Sequence, residues 1–338
     1  MNVNERIEHI DSIRAIAVLL MVMVHAAATW GPPPSTQPSF LVYVISGLGG
    51  LAAPLFVTVF GWGCFQSTAN ARQRTYRAGF LLLAQCAINS SSPHLFDFWT
   101  PGILTLFAAL TLAQPLWLKP IQSSESFFLM GVFGIFTFTL FLSDYQGSSE
   151  WNDRIVTENT VQWLNHILFT GTYPILPWIM FAMVGAWIAS SSEKGTFPLT
   201  SKTRGVLLGA LVSISFSLGF SLREGKEWAS PSGDAVLTFF PANTPFLVAA
   251  LLGASMIWLL IERASVQHLG LLGRRSLTVY ITHFIPIGVF HSLDETYSFS
   301  LTTSMMVIVA YTLVWWPAVH AWDRLAPRMN VEQLFRAL

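Results

Sequence analysis

Nine apolar stretches, each near the roughly 20 residues that a helix needs to cross a bilayer, punctuate this 338-residue chain. They are Ile13–Trp30, Leu48–Gln66, Ile103–Leu118, Phe127–Leu142, Tyr173–Ser190, Gly205–Leu222, Pro245–Ile261, Leu277–Phe290 and Phe299–Pro317. A tenth, Arg77–Asn89, is shorter and carries Gln85 and Asn89. Only 11% of the residues are charged, where a soluble domain averages about 25%. Too few charges are present to cover a soluble protein of this size. The expectation is an all-α polytopic membrane protein, a bundle of about ten transmembrane helices forming a single domain over residues 1–338. The first run ends in a cleavage-like Ala26-Ala27-Ala28, but the residues before it balance Arg6 and Arg14 against Glu5, Glu8 and Asp11. A secretory leader needs a net positive start, so this run reads as a retained helix.

The joins between spans alternate in Lys/Arg content. One set holds Arg6, Arg14, Arg72, Arg74, Arg77, Lys119, Lys194, Lys202, Arg204, Arg263, Arg274, Arg275, Arg324, Arg328 and Arg336; the other holds only Arg154, Arg223 and Lys226. The positive-inside rule makes the first set cytoplasmic, with both termini on that side. Dropping the weak third span would destroy the alternation. The formal net charge of zero argues against a nucleic-acid partner. Divided by side, it becomes 15 basic against 8 acidic groups inside and 3 against 10 outside. An acidic outer face disfavours strongly anionic acceptors, while the basic inner face suits a phosphate-bearing molecule. Cys64 and Cys86 lie in apolar runs with no disulfide or zinc spacing around them.

Ionisable groups inside spans are costly and therefore functional candidates. Asp11, Arg14 and His25 are spaced by three and eleven residues, which places them on one stripe of a helix, with Arg14 and His25 roughly 16 Å apart along the axis. A boundary ion pair plus a packing histidine is the plain alternative. Neutral histidine is also the commonest general base near neutral pH. His94, Asp97, His166, Tyr173 and His291 gather on the outer side of the same scheme. Arg72, Arg74 and Arg77, like Arg274 and Arg275, either fix topology against anionic lipid or fork onto phosphate. Ser276, Tyr280 and His283 share one face of the ninth span. No helical His/carboxylate pair points to a metal, and none is expected.

Arg6-Ile-Glu-His-Ile-Asp-Ser-Ile-Arg-Ala-Ile-Ala-Val-Leu-Leu-Met-Val-Met-Val-His25 resembles the opening helix of the transmembrane acyltransferase superfamily. That group includes the heparan-α-glucosaminide N-acetyltransferase family and the acyltransferase type 3 family. Ala53-Pro-Leu-Phe-Val-Thr-Val-Phe-Gly61, Ile103-Leu-Thr-Leu-Phe-Ala, Tyr173-Pro-Ile-Leu-Pro-Trp-Ile-Met-Phe and Gly273-Arg-Arg-Ser-Leu-Thr-Val-Tyr-Ile-Thr-His283 resemble later motifs of the former family. The resemblance implies acetyl-CoA or another acyl-CoA as cytoplasmic donor, and a hydroxyl or amine of a glycan or lipid-linked acceptor outside. It implies functional roles for His25 and Arg14, with Arg74 and Arg77 matching an Arg-x-x-Arg donor element. Glucosaminide enzymes carry their catalytic histidine after the first helix, where this chain has Gly31-Pro-Pro-Pro-Ser-Thr-Gln, with no counterpart.

The resulting expectation is an acyl-CoA-dependent acyltransferase in a bacterial inner (plasma) membrane. His25, Asp11 and Arg14 would be catalytic, and Arg72, Arg74, Arg77, Arg274 and Arg275 would hold the donor. His94, Asp97, His166, Tyr173, Tyr280 and His283 would meet the acceptor. Membrane lipids are the expected surroundings, and a homodimer is compatible with the sequence. The competing reading is a proton-coupled small-molecule transporter using the same buried polar groups. Inverted halves would support it, and no repeat is evident.

Overall fold

The computed structural model describes residues 7–31, 40–192, 194–264 and 266–338, leaving aside the side chains of 40–43 and 267. Glu5, Arg6, residues 32–37 and Glu193, used above, lie outside the described residues. Seventeen α-helices follow in order among them: α1 (Glu8–Trp30), α2 (Phe40–Gln66), α3 (Ala71–Ser91), α4 (Ile103–Leu112), α5 (Gln114–Ser123), α6 (Glu125–Phe141), α7 (Trp151–Ile155), α8 (Thr160–Asn165), α9 (Ile175–Ser191), α10 (Ser201–Glu224), α11 (Thr244–Ala264), α12 (Gly270–Arg274), α13 (Ser276–Thr282), α14 (Phe284–Val289), α15 (Leu293–Tyr297), α16 (Leu301–Leu325) and α17 (Val331–Ala337). Among the described residues, strand structure is confined to a parallel pairing of Ala229–Ser230 with Leu237–Thr238. The protein is therefore all-helical, as its apolar pattern requires.

Helix boundaries follow local chemistry. Ser124, Asn159, Thr200, Ser300 and Asn330 stand at N-caps, and each side-chain oxygen accepts from a backbone N–H two or three residues on, the usual way to satisfy orphan donors. Helix α10 stops at Gly225, which takes the left-handed φ of 63° that favours glycine.

Among the described residues, five helices (α1, α2, α10, α11 and α16) are long and apolar enough to cross a membrane. Two bent pairs raise this to seven: α4 with α5, bent by 68°, and Thr160–Thr170 with α9, bent by 49°. Pro115 at the head of α5 and Pro174 ahead of α9 lack the N–H that would continue the preceding helix. Helices α6 and Ser276–Val289 are apolar but shorter. Helix α3 has the length, but its first turns carry Arg72, Arg74 and Arg77. Only 6% of α10's apolar window is buried by protein. A helix that is apolar all round and uncovered by protein is one whose solvent is lipid.

The chain divides into two compact units: Met1–Phe56, Cys86–Phe98 and Ile261–Leu338 form the first; Val57–Gln85 and Trp99–Leu260 the second. In the first, α1 packs on α12, α13, α14 and α16, and two-thirds of its apolar window is buried. That is the position of a core helix of this unit. Met23, Ala26, Trp30, Ile45, Ile287, Met305 and Ile308 form one buried cluster there. Asn89, on the α3 segment of this unit, spends its amide on the Phe98 carbonyl at 2.9 Å.

In the second unit α9 packs against α4, α5 and α6, with Trp178, Met180 and Phe181 fully buried. Gln85 accepts from the Leu104 N–H at 3.1 Å, and Gln114 donates to the Cys64 carbonyl at 2.9 Å. Arg154 is 2% exposed. It donates to the carbonyls of Gln146, Thr170 and Gly171 at 3.0, 3.2 and 2.9 Å. Burial pulls its guanidinium down to about 10, with Asp153 opposing, so it stays charged at neutral pH. Replacing Arg154 by Met leaves three carbonyls short of a donor, at about 1–3 kcal/mol each before relaxation. A loss of about 2–4 kcal/mol of stability is expected, read as a lower melting temperature in detergent. A melting point equal to the parent's would show that water replaces the guanidinium.

Candidate active site

Helix α1 is unbroken from Glu8 to Trp30, so Asp11, Arg14 and His25 do share one face. Arg14 pairs with Asp11 at 3.1 Å, while His25 lies about 16 Å further along the axis. The carboxylate and guanidinium are therefore an ion pair at the head of the helix and do not touch the imidazole. His25 is buried (8% exposed) and His283 wholly so. His25 Nδ1 lies 2.9 Å from His283 Nε2, although 258 residues separate them in the chain. The two rings lie edge to edge, their planes within 19° of parallel and their centroids 5.1 Å apart, with Phe284 at 4.5 Å from His25 and Tyr280 at 6.2 Å. Phe56 closes on Tyr280 at 5.5 Å. The result is a histidine pair in an aromatic wall.

Two close backbone approaches set this geometry. A Cβ at Gly273 would collide with the carbonyl of Asp11, and one at Gly288 with the carbonyl of Ser91. Glycine at these two positions lets the segment holding Tyr280 and His283 seat against α1 at one end and the end of α3 at the other. Ser12 Oγ adds a bond to the Val266 carbonyl at 2.9 Å, Ser92 Oγ one to the Phe284 carbonyl at 3.2 Å. Between those anchors the helix breaks at His283. Pro286 has no N–H for the Thr282 carbonyl, and the Tyr311 hydroxyl of α16 donates to the His283 carbonyl at 2.5 Å.

A second histidine pair lies one turn beyond His25. Thr29 donates to the His25 carbonyl at 2.9 Å, and its hydroxyl is 3.3 Å from His94 Nε2. His94 stacks on His291 at 5.0 Å, and His291 Nδ1 is 2.8 Å from the Gly288 carbonyl. Burial first, then the adjacent His291, pulls the His94 imidazole below its usual range. Asp97 is exposed nearby in sequence. Trp30 Nε1 donates to the Phe290 carbonyl at 2.8 Å.

Most of the other expected site residues have their own partners. His166 sits in a π turn (His166–Thr170) of the second unit. Its Nε2 is 3.0 Å from the Val156 carbonyl and its Nδ1 2.8 Å from Thr170 Oγ1, so both ring nitrogens are engaged in holding that loop. Tyr173 joins Trp178, Phe239 and Phe240 in an aromatic cluster. Arg275 is paired with Asp323 of α16; Arg274 beside it is partly exposed. At the head of α3, Arg72 lies over the Tyr76 ring at 5.4 Å and Arg74 donates to the Ala69 carbonyl at 3.0 Å; Arg77 is partly buried. Among the described residues no group of three or more His, Cys, Asp or Glu is placed to hold a metal ion.

Sequence reasoning placed His283 with the acceptor and did not single out Tyr311. Both lie in apolar runs among many aromatics, and nothing in their spacing to His25 reveals the contact.

A bundle of apolar helices enclosing a buried imidazole pair defines an integral-membrane protein with acid–base capacity inside its helical core. The chain belongs to the acyltransferase type 3 family: the family model described as an acyltransferase domain matches residues 7–319. This supports transferase activity and does not favour the transporter reading; it does not extend to the heparan-α-glucosaminide resemblance. A search of the curated proteins finds no match.

Proposed function

We propose that this protein moves an acyl group, most simply acetyl, from acyl-CoA to a hydroxyl or amine of a glycan or lipid-linked acceptor. His25 is the general base, and the reading rests on one observation: His25 is a buried imidazole held by a second imidazole, in a chain of an acyltransferase family. The acceptor proton passes to His25 as the acceptor oxygen or nitrogen bonds to the thioester carbonyl carbon. The C–S bond then breaks, and His25 returns the proton to the departing CoA sulfur. No proton is gained or lost overall, so one basic nitrogen suffices. Arg74 and Arg77, by their Arg-x-x-Arg spacing, are assigned to the donor phosphates, with Arg72 of the same helix adding positive charge.

The finer topology is proposed with it. Counting α3, α6 and Ser276–Val289 as shorter or more polar passes brings seven spans to ten, with both termini cytoplasmic under the positive-inside rule. The donor then binds from the cytoplasm of a bacterial inner membrane, and the acceptor at its outer face. The protein, reconstituted in vesicles, is incubated with acyl-radiolabelled acetyl-CoA and a glycan or lipid extract. Label is expected on an acceptor. Uptake of extract components without labelled acceptor would support the carrier instead.

A further inference from the structure

The hydrogen-bond chain behind His25 determines which of its nitrogens can act. His283 Nδ1 lies 3.1 Å from the carbonyl oxygen of Val279. A carbonyl can only accept, so Nδ1 carries the hydrogen. A neutral imidazole has one N–H, which leaves His283 Nε2 as a lone pair. That lone pair faces His25 Nδ1 at 2.9 Å, so His25 Nδ1 is the donor and its Nε2 is bare. Both rings are buried, and among the described residues neither is paired with a carboxylate. An uncompensated imidazolium there would be costly, so the resting pair is neutral.

We propose that His283 is a positioning residue that fixes His25 in the Nδ1–H tautomer, so that Nε2 is the one acid–base nitrogen of the reaction. The Val279 carbonyl sets the first hydrogen and the second follows from it. The Tyr311 bond to the His283 carbonyl, and the close approaches at Gly273 and Gly288, hold the ring in place for this. When His25 Nε2 receives the acceptor proton, its Nδ1–H becomes an imidazolium donor, and its bond to His283 Nε2 strengthens because the donor is charged. His283 exchanges no proton. A histidine serves here as the orienting acceptor that a carboxylate provides in other triads, without placing a charge inside a span.

The inference rests on His25 being the base, and two measurements separate the two claims. In protein labelled with ¹⁵N-histidine, nitrogen NMR of the full-length wild type in lipid is expected to show His25 protonated at Nδ1 and bare at Nε2. A His25 protonated at Nε2 overturns the proposal whether or not any variant folds. In steady-state transfer, His283→Leu is expected to lower kcat by about 10²–10³-fold, within the span typical of lost acid–base assistance, with KM for donor and acceptor within about twofold. His283→Gln has an oxygen to accept from His25 and an amide N–H for Val279. It is expected to recover at least about tenfold over His283→Leu, on the same hydrogen-bond argument. Folded His283→Leu with wild-type kcat, or folded Gln and Leu variants equally impaired, also overturns it. A wild type with the expected tautomer but no loss of transfer in His25→Ala overturns the base assignment alone.

Discussion

His25→Ala is expected to lower saturated acyl transfer by about 10²–10⁴-fold, the usual contribution of a positioned general base. Stability should change far less. The substitution removes the donor to His283 Nε2 and leaves that neutral lone pair unpaired, at about 1–3 kcal/mol. A small cavity opens beside Phe284, whose ring lies 4.5 Å from that of His25. Helix α1 itself gains alanine, the best helix former. The expected signature is therefore normal yield, a modestly lower melting temperature, and turnover near background. KM for the donor should hold, because Arg74 and Arg77 are untouched. His320→Ala is the control: that ring is half-buried, and its Nδ1 is 2.9 Å from the Trp316 carbonyl of its own helix. Unchanged turnover in His25→Ala would sink the assignment of the base.

Gly273→Ala is expected to be the most damaging single-methyl change in the first unit. Its Cβ would meet the Asp11 carbonyl, carbon and Cα, all backbone atoms, so no side-chain rotation relieves the clash. Forced overpacking costs about 1–3 kcal/mol, and the upper end applies where both partners are helices. The activity loss should exceed what stability explains. Moving α12 away from α1 carries α13 and His283 with it, and a shift of about 1 Å at reacting groups costs about 10²-fold. Gly270→Ala is the comparison, since a Cβ there meets only the end of the Arg274 side chain. The check is a melting curve and kcat for both proteins. If Gly273→Ala matches Gly270→Ala in both, the close approach does not govern the site.

Much of the architecture is legible in the sequence. Each apolar run lies largely within a helix or a bent helix pair, because burial of apolar length in lipid is a local property. The first helix and the shared face of Asp11, Arg14 and His25 were equally local, being set by helical periodicity. Hydropathy alone does not show the 68° bend within Ile103–Leu118 or the 49° bend at the start of Tyr173–Ser190. There proline and glycine interrupt the hydrogen-bond ladder without interrupting hydropathy. The site was legible only by halves. His25 stood out as an ionisable group in a span, and His283 stood out too, but assigned to the acceptor.

His166 shows the opposite case: a histidine with every sequence credential of a site residue, diverted to the Val156 carbonyl and Thr170 by a π turn. Arg275 likewise resembled a phosphate ligand and is held by Asp323. Val156 lies outside the turn that holds His166, and Asp323 lies on α16, 48 residues from Arg275; neither contact has a helical or strand spacing in the sequence.

The amino-acid sequence by itself determined the solvent of this protein, its helices, and the single face on which α1 carries its ionisable residues. Those follow from chain-local quantities: transfer free energy per residue and 3.6 residues per turn. Only the tertiary structure decided that His25 meets His283, and hence which nitrogen is bare. That choice depends on how near two backbones can come, and here two glycines, at 273 and 288, permit the approach.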